Sequence, residues 1–290
     1  MRQHIMRFAL LSMIAAMTCA QKPHPAVASD LTSLRPGLNV EIQIDHDGRS
    51  RRILVTTPLQ YDSDRAYPVL FAFHGAGGKA EGQSRRWNPH VNSRDFILIS
   101  VEAVRPLAKW NFMDGFHRVD HDDVGLVRLI THTLISAGIA DPRRIYATGH
   151  SSGGLFCYRL AKETSLFAAV SPMSCGMAKG AHDPGKETQP VSIMQVIGDQ
   201  DKSYHGSTNP RITMYSAAQR VEIWRSFNQC DPEPETSPYG DKMSVRTYSN
   251  RDGIEVAICE VKDEGHHIRR DLRRITDSLA LDFVFRHKRN

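Results

Sequence analysis

A serine set among glycines at the end of an apolar strand restricts the fold of this chain more than any other feature. Residues 149–153 read "GHSSG" and fit the pattern G-x-S-x-G. The preceding "RIYATGHS" is typical of a buried strand, and the following "GGLFCYRLAKE" is typical of a helix. Small residues at this junction permit a sharp reversal that exposes the hydroxyl of Ser151. The pattern therefore predicts a serine nucleophile on a strand-to-helix turn.

Two other uses of a glycine-rich turn are weaker. A phosphate-binding loop requires G-x-x-x-x-G-K-[ST], and this turn contains no lysine. A dinucleotide-binding turn requires G-x-G-x-x-G after the first strand of its unit, and that pattern is missing as well. A plain turn stays open on the motif alone, because glycines also serve simple chain reversal.

The rest of the chain predicts an α/β fold. "LNVEIQID" (38–45) and "RRILVTTP" (51–58) flank "HDGR", whose Asp-Gly pair is a hairpin signal. Further along, apolar runs such as "YPVLFAFHG" and "FILISVEA" alternate with helical patterns such as "VGLVRLITHTLISAG". This alternation predicts a mostly parallel central sheet with helices on both faces. No insertion between strands is long enough for a separate lid, so residues 29–290 are expected to form one domain.

A serine hydroxyl is a weak nucleophile without a base, so the turn needs partners. "VIGDQD" ends a later strand and offers Asp199 and Asp201, while "EVKDEGHH" ends the last strand and offers His266 and His267. The order serine, acid, histidine is the one that the α/β-hydrolase arrangement requires. The carboxyl ends of parallel strands share one edge of the sheet, which brings these groups to one place.

An oxyanion pocket completes such a site. "FHGAGG" (73–78) follows a predicted strand and is similar to the oxyanion loop of lipases and esterases. The backbone N–H groups of Ala76 and Ser152 are the predicted donors. Each donor typically contributes roughly 3 kcal/mol of transition-state stabilisation.

These motifs resemble secreted α/β-hydrolases that include poly(3-hydroxybutyrate) depolymerases, feruloyl esterases and acetyl-xylan esterases. The resemblance runs from about residue 38 to 285 and rests on "FHGAGG", "KWN", "DDVGLVRLI", "GHSSGGLFCYRLA", "GDQD" and "EGHH". It implies the α/β-hydrolase fold, with Ser151 as nucleophile, Asp201 as acid and His266 as base. The chain departs from the family in "DKSYHG" after the acid and in "GHHIRR" at the base, which puts the family's polymeric and aromatic substrates in doubt.

The predicted function is therefore a serine carboxylic-ester hydrolase without cofactor or metal, acting on short-acyl or aryl esters that are small or polymer-linked. Trp110 and Tyr204 lie in loops beside the site and are predicted to contact substrate. A serine peptidase and a non-catalytic binding protein on the same fold are the alternatives. A fluorophosphonate probe separates enzyme from binding protein, because only an activated serine is labelled.

The amino terminus predicts export. Arg2 and Arg7 precede an apolar run that ends at Ala20, so residues 1–28 are interpreted as a signal peptide and short arm, cleaved after residue 20 or 28. A secreted or periplasmic location follows, with a lipid anchor as the weaker alternative. No later run is long enough for a transmembrane helix.

Cysteines and charge add two expectations. In an oxidising compartment, a disulfide between Cys230 and Cys259 is expected to brace the histidine loop. The net charge is +5, and the basic run "HHIRRDLRRI" is interpreted as a solvated helix face. No nucleic-acid-binding motif accompanies it.

Overall fold

The computed structural model describes residues 30–37, 39–116 and 119–289. The predicted signal segment, residues 1–28, lies outside the described residues. Within them, one ten-stranded sheet runs through the molecule in the order β1-β2-β4-β3-β5-β6-β7-β12-β11-β10. A small hairpin, β8–β9, lies apart from it. The strands are β1 (Asn39–His46), β2 (Arg49–Thr56), β3 (Tyr67–Phe73), β4 (Ile97–Val101), β5 (Ala140–His150), β6 (Ala169–Met173), β7 (Ser192–Gly198), β8 (Ser207–Asn209), β9 (Ile212–Met214), β10 (Glu235–Tyr239), β11 (Met243–Ser249) and β12 (Glu255–Val261).

The sheet is parallel in its centre and antiparallel at both ends. Strands β4, β3, β5, β6, β7 and β12 are parallel to their neighbours in that order. The pairs β1–β2 and β2–β4 at one end, and β12–β11 and β11–β10 at the other, are antiparallel. The central strands are buried along almost their whole length, which explains their continuous apolar runs.

Helices cover both faces of this sheet, as an α/β fold requires. The helices are α1 (Ala80–Arg94), α2 (Asp123–Ser136), α3 (Ser152–Glu163), α4 (Ala217–Phe227) and α5 (Arg270–Arg286). Apolar side chains of α2, α3 and α4 pack in one core cluster, and those of α1 and α5 pack in a second cluster on the other face. The α/β-hydrolase fold predicted from the sequence is confirmed.

The first hairpin shows how local sequence sets the register. Asp47 and Gly48 connect β1 to β2, with φ angles of 52° and 66°. Positive φ at both central residues is the requirement of a type I′ turn, whose twist matches that of the flanking strands. The pairing of His46 with Arg49 across the turn follows from it.

The predicted bridge between Cys230 and Cys259 is not formed, and this expectation is corrected. Both side chains are free, buried thiols, as are those of Cys157 and Cys175. Side chains of β12 alternate between the two faces, and Cys259 packs in the cluster covered by α1 and α5. Cys230 packs in the cluster on the opposite face. The sheet itself separates the two sulfur atoms.

A search of the described residues for a helix with the length and apolar character of a membrane span finds none.

Candidate active site

The turn after β5 holds Ser151 in a strained conformation. Its φ and ψ are 56° and −118°, outside the regions that a side chain other than glycine ordinarily adopts. A Cβ atom on Gly149 would collide with the carbonyl of Gly153, and one on Gly153 would collide with the carbonyl of Phe73. Both glycines of the motif are therefore required by close backbone approach. The Ser151 N–H donates to the carbonyl of Met173 at 2.9 Å, which ties the turn to β6.

The three residues singled out from the sequence lie in one hydrogen-bonded chain. His266 Nε2 is 3.0 Å from Ser151 Oγ, and His266 Nδ1 is 2.8 Å from Asp201 Oδ2. Ser151 follows β5, Asp201 follows β7 and His266 follows β12, so all three come from the carboxyl edge of the parallel strands. Asp199 and His267 do not take part in this chain of hydrogen bonds.

The carboxylate of Asp201 is held in its charged form. Burial alone would raise its pKa, but hydrogen bonds from His266 and from the backbone and hydroxyl of Ser203 lower the pKa to about 2. Only 3% of the Asp201 side chain is exposed, compared with 42% for His266. A buried anion that accepts from Nδ1 leaves Nε2 of a neutral imidazole free to accept the serine proton.

The predicted oxyanion loop, residues 73–78, is held by hydrogen bonds of His74. The N–H of Ala103 donates to Nε2 of His74, so Nδ1 carries the proton and donates to the carbonyl of Gly75 at 2.7 Å. Burial lowers the pKa of His74, in agreement with a neutral ring. The indole N–H of Trp110 donates to the carbonyl of His74 at 2.7 Å.

This loop lies against the nucleophile. A Cβ atom on Gly75 would be 3.3 Å from Cβ of Ser151. In the described part of the chain, the N–H groups of Ala76 and Ser152 donate to no protein acceptor. Ser152 is the first residue of α3, where an N–H has no partner inside the helix. Two N–H donors without a protein acceptor, on segments that adjoin Ser151, are what a developing oxyanion needs.

The prediction that Trp110 contacts substrate is wrong, because its side chain is only 1% exposed. Its ring is stacked on Phe156 with centroids 5.2 Å apart, and it meets Phe73 edge to face. The apolar ring is buried in the core while its N–H supports the oxyanion loop. Trp110 therefore acts on the site through the backbone of His74.

Tyr204 lies partly buried beside the acid loop. Its N–H donates to the carbonyl of Asp201 at 2.8 Å, and its hydroxyl donates to Glu260 Oε1 at 2.5 Å. The hydrogen bond to Glu260 raises the pKa of Tyr204 to about 12. Its hydroxyl is thus occupied, and contact of the ring with substrate stays a prediction.

One histidine next to Ser151, His150, was not singled out from the sequence. His150, the variable residue of the G-x-S-x-G motif, lies with Nε2 3.2 Å from the carbonyl of His266. Its ring is stacked on that of His267, with centroids 5.4 Å apart. Burial lowers the pKa of His150 to about 4, so the ring is neutral near pH 7. The only signal in the sequence was that a histidine, His150, occupies the variable position of the motif and that a second histidine, His267, follows the predicted base.

The acidic group before α2 has structural partners. Asp122 is the N-cap of α2 and accepts from the N–H of Gly125 at 2.7 Å. Asp123 is buried and pairs with Arg51 at 2.6 Å. Among the residues described here, no group of three or more His, Cys, Asp or Glu side chains is arranged to hold a metal ion.

Comparison of sequences finds related esterases. Feruloyl esterase B from Piromyces equi is 28% identical over 231 residues, which cover 74% of this chain and 42% of that protein. The chain thus spans less than half the length of this relative. No family model matches the chain.

Comparison of structures finds the same fold. An acetyl xylan esterase from Aspergillus awamori superposes with a TM-score of 0.59 at 15% identity, covering 82% of this chain and 98% of the other. A poly(3-hydroxybutyrate) depolymerase from Bordetella parapertussis superposes with a TM-score of 0.57 at 17% identity, covering 91% and 94%. The chain is thus similar to esterases of the α/β-hydrolase group, as its motifs indicated.

Proposed function

We propose that this protein is a serine carboxylic-ester hydrolase in which Ser151, His266 and Asp201 form the catalytic triad. The observation that carries the proposal is the continuous hydrogen-bonded chain from Ser151 Oγ through His266 to the buried Asp201. The strained turn, the charged acid and the free N–H donors beside the hydroxyl support it. The esterase names of the similar proteins support an ester rather than an amide as substrate.

In the first half of the reaction, Ser151 Oγ attacks the carbonyl carbon of the ester. His266 Nε2 takes the hydroxyl proton as the new C–O bond forms, and the carbonyl electrons move onto oxygen. The N–H groups of Ala76 and Ser152 donate to that oxyanion. Collapse of the tetrahedral intermediate breaks the ester C–O bond, and His266 gives its proton to the leaving alcohol. Ser151 is left acylated.

In the second half, water replaces the alcohol. His266 takes a proton from the water as it attacks the acyl carbon, and a second tetrahedral intermediate forms in the same oxyanion pocket. Its collapse releases the carboxylic acid and returns the proton to Ser151 Oγ. Asp201 stays ionised in both halves, because its role is to hold Nδ1–H and stabilise the imidazolium.

We also propose that residues 1–28 direct export and that residues 29–290 are the mature hydrolase domain. The basic residues and apolar run at the amino terminus support this. Sequencing the amino terminus of the protein recovered outside the cytoplasm would test it. Recovery of an uncleaved chain only in the cytoplasm would contradict it.

The test of the activity combines labelling and turnover. Purified protein is treated with a fluorophosphonate probe and assayed on 4-nitrophenyl acetate, next to Ser151→Ala and Ser152→Ala. We expect Ser151→Ala to lose both labelling and turnover, while Ser152→Ala keeps both, because the proposed role of Ser152 uses only its backbone N–H. Equal labelling of wild type and Ser151→Ala would refute the triad.

A further inference from the structure

A cavity of about 810 Å³ lies beside the proposed nucleophile, on the face of the sheet covered by α1 and α5. Gly75 of the oxyanion loop, His150 and His267 line the end nearest the triad. His150 and His267 are the chain neighbours of Ser151 and His266, and Gly75 contacts Ser151. The cavity therefore reaches the immediate neighbours of the proposed nucleophile and base, although neither Ser151 nor His266 lines it.

The charged side chains that line this cavity are mostly cationic. A single carboxylate, that of Asp277, accompanies the cationic residues Lys79, Arg85, Arg86, Arg270, Arg273 and Arg274. Arg86 neutralises Asp277 through a forked pair, in which Nε is 3.0 Å from Oδ2. Across the residues that the structure describes, the other five cations have no ion-pair partner. By contrast, Arg52 alone is paired with three glutamates.

Three of these cations come from the basic run that the sequence analysis interpreted as a solvated face. Arg270, Arg273 and Arg274 lie in the first turns of α5 and line the cavity together with Asp277. All three are exposed to solvent, and they border a recess that Met173, Ser174 and Val196 also line.

His90 and His150 add hydrogen-bonding groups to the lining. Burial and the nearby Arg86 lower the pKa of His150 to about 4, and burial lowers that of His90. Guanidinium groups carry several N–H donors in a planar fork that fits two oxygens of one carboxylate or phosphate. The lining therefore suits an anion with more than one oxygen.

We propose that this cavity binds an oxyanion, a carboxylate or phosphate group, carried by the ester that Ser151 cleaves. The inference rests on the proposed hydrolase function and narrows its substrate class to anionic esters. The five unpaired cations that line this cavity carry it. An anionic substrate would be attracted to the cavity and held there, while a neutral ester of the same shape would leave these charges solvated.

The test compares esters matched in shape. The first pair is 4-acetoxybenzoate and its methyl ester, and the second is 4-acetoxyphenyl phosphate and its dimethyl ester. These distinguish a carboxylate from a phosphate. A third pair, 4-nitrophenyl hemiglutarate and 4-nitrophenyl pentanoate, places the charge on the acyl side. We expect kcat/KM for at least one anionic ester to exceed that of its neutral partner about tenfold, the usual effect of a charge-assisted hydrogen bond.

Two variants of equal net charge distinguish an effect of the cavity from an effect of the protein's overall electrostatic field. Arg270→Gln/Arg274→Gln removes two cations from the cavity, and Arg143→Gln/Arg251→Gln removes two near the opposite edge of the sheet. We expect the first to lose most of the preference for the anionic ester and the second to keep it. Raising NaCl from 0.05 to 1 M should also reduce the preference, because salt screens exposed charges.

Three outcomes overturn the inference: no anionic preference in the wild type, equal loss in both variants, or a preference unchanged in Arg270→Gln/Arg274→Gln. Loss of the proposed function is recognised separately, because neutral esters would then not be cleaved either. In that case citrate is titrated calorimetrically into the three proteins. Binding that Arg270→Gln/Arg274→Gln loses and Arg143→Gln/Arg251→Gln keeps supports an oxyanion site, and no difference among the proteins refutes it.

Discussion

At the scale of single residues, the site depends on which of two adjacent histidines meets the serine. His266 Nε2 is 3.0 Å from Ser151 Oγ, while the ring of His267 is stacked on His150. The sequence offered both, and only the resemblance to esterases, whose base directly follows a glycine, favoured His266. In the loop after β12, His266 is hydrogen-bonded to Asp201, while His267 lines the cavity.

The first prediction concerns this pair. We expect His266→Ala to lower kcat on 4-nitrophenyl acetate several-thousand-fold or more, because triad members act as a unit. His267→Ala is the matched control and should lower kcat less than about tenfold, because His267 makes no contact with Ser151 Oγ. Purified, folded variants would be compared by steady-state kinetics. An inactive His267→Ala beside an active His266→Ala would move the base by one residue.

The second prediction concerns acid stability and the buried His182. Its Nδ1 accepts from the N–H of Ala178 at 3.1 Å, and its Nε2–H donates to the carbonyl of Phe112 at 2.7 Å. Burial lowers the pKa of His182 to about 4. An unfolded histidine has a pKa near 6.5, so between these values the unfolded state binds more protons. The free energy of unfolding should therefore fall as pH falls from 6.5 to 4, by up to about 3 kcal/mol from this residue.

Urea denaturation at pH 7, 5.5 and 4.5 would measure this effect. His182→Gln should be less stable at pH 7 but depend less steeply on pH. The exposed His132→Gln is the control and should follow the wild-type profile. If His182→Gln shows the wild-type pH dependence, then His182 does not change its proton affinity on folding.

At the scale of secondary-structure elements, two adjacent aspartates at the start of α2 stabilise the fold in different ways. Asp122 caps the helix from the surface, while Asp123 is buried and holds both Arg51 of β2 and the N–H of Asn111. The Arg51 guanidinium is only 2% exposed, so it depends on this carboxylate. The sequence places an aspartate pair directly before a helical pattern, where N-caps occur. It did not reveal the ion pair, because Arg51 is 72 residues away along the chain.

The third prediction follows from this arrangement. Asp123→Ala should lower the free energy of unfolding by about 3–5 kcal/mol, because it leaves a buried guanidinium unpaired. Asp122→Ala, one residue away, should cost about 1 kcal/mol, the usual loss of an N-cap. Chemical denaturation of the two variants measures both values. Equal losses would mean that the buried pair contributes no more than the cap.

At the scale of the whole molecule, the site lies at an open edge of the sheet. The proposed base, His266, is 42% exposed, although the acid is buried. The recess that the structure does contain beside the triad is the cationic cavity between α1 and α5. Because this recess is open to solvent, a long alkyl chain beside Ser151 would be only partly buried.

The fourth prediction is a preference for short acyl groups. Each buried methylene contributes about 0.8 kcal/mol, and an open cleft buries few of them. We expect kcat/KM across 4-nitrophenyl esters of two to sixteen carbons to be greatest between two and four carbons. A maximum at ten carbons or more would reveal an acyl pocket and contradict this interpretation of the cleft.

The sequence by itself determined the local parts of this protein. The Asp-Gly hairpin, the buried parallel strands and the turn at Ser151 are specified by neighbouring residues, because φ angles and close backbone approach depend on the side chains present there. It also restricted the acid and the base to two candidates each, since both follow predicted strands. The antiparallel pair β10–β11 was missed, because its half-exposed strands lack a continuous apolar run.

Only the tertiary structure decided how distant residues face one another. It placed Trp110 in the core beneath the oxyanion loop and put Cys230 and Cys259 on opposite faces of the sheet. It also placed three exposed arginines of the basic run in α5 at the border of a cavity beside Ser151. Side-chain direction depends on how a helix is rotated against the sheet and on which face a strand residue occupies. The rotation of the helix and the face of the strand residue are both set by packing across the whole chain, so residue spacing alone does not predict them.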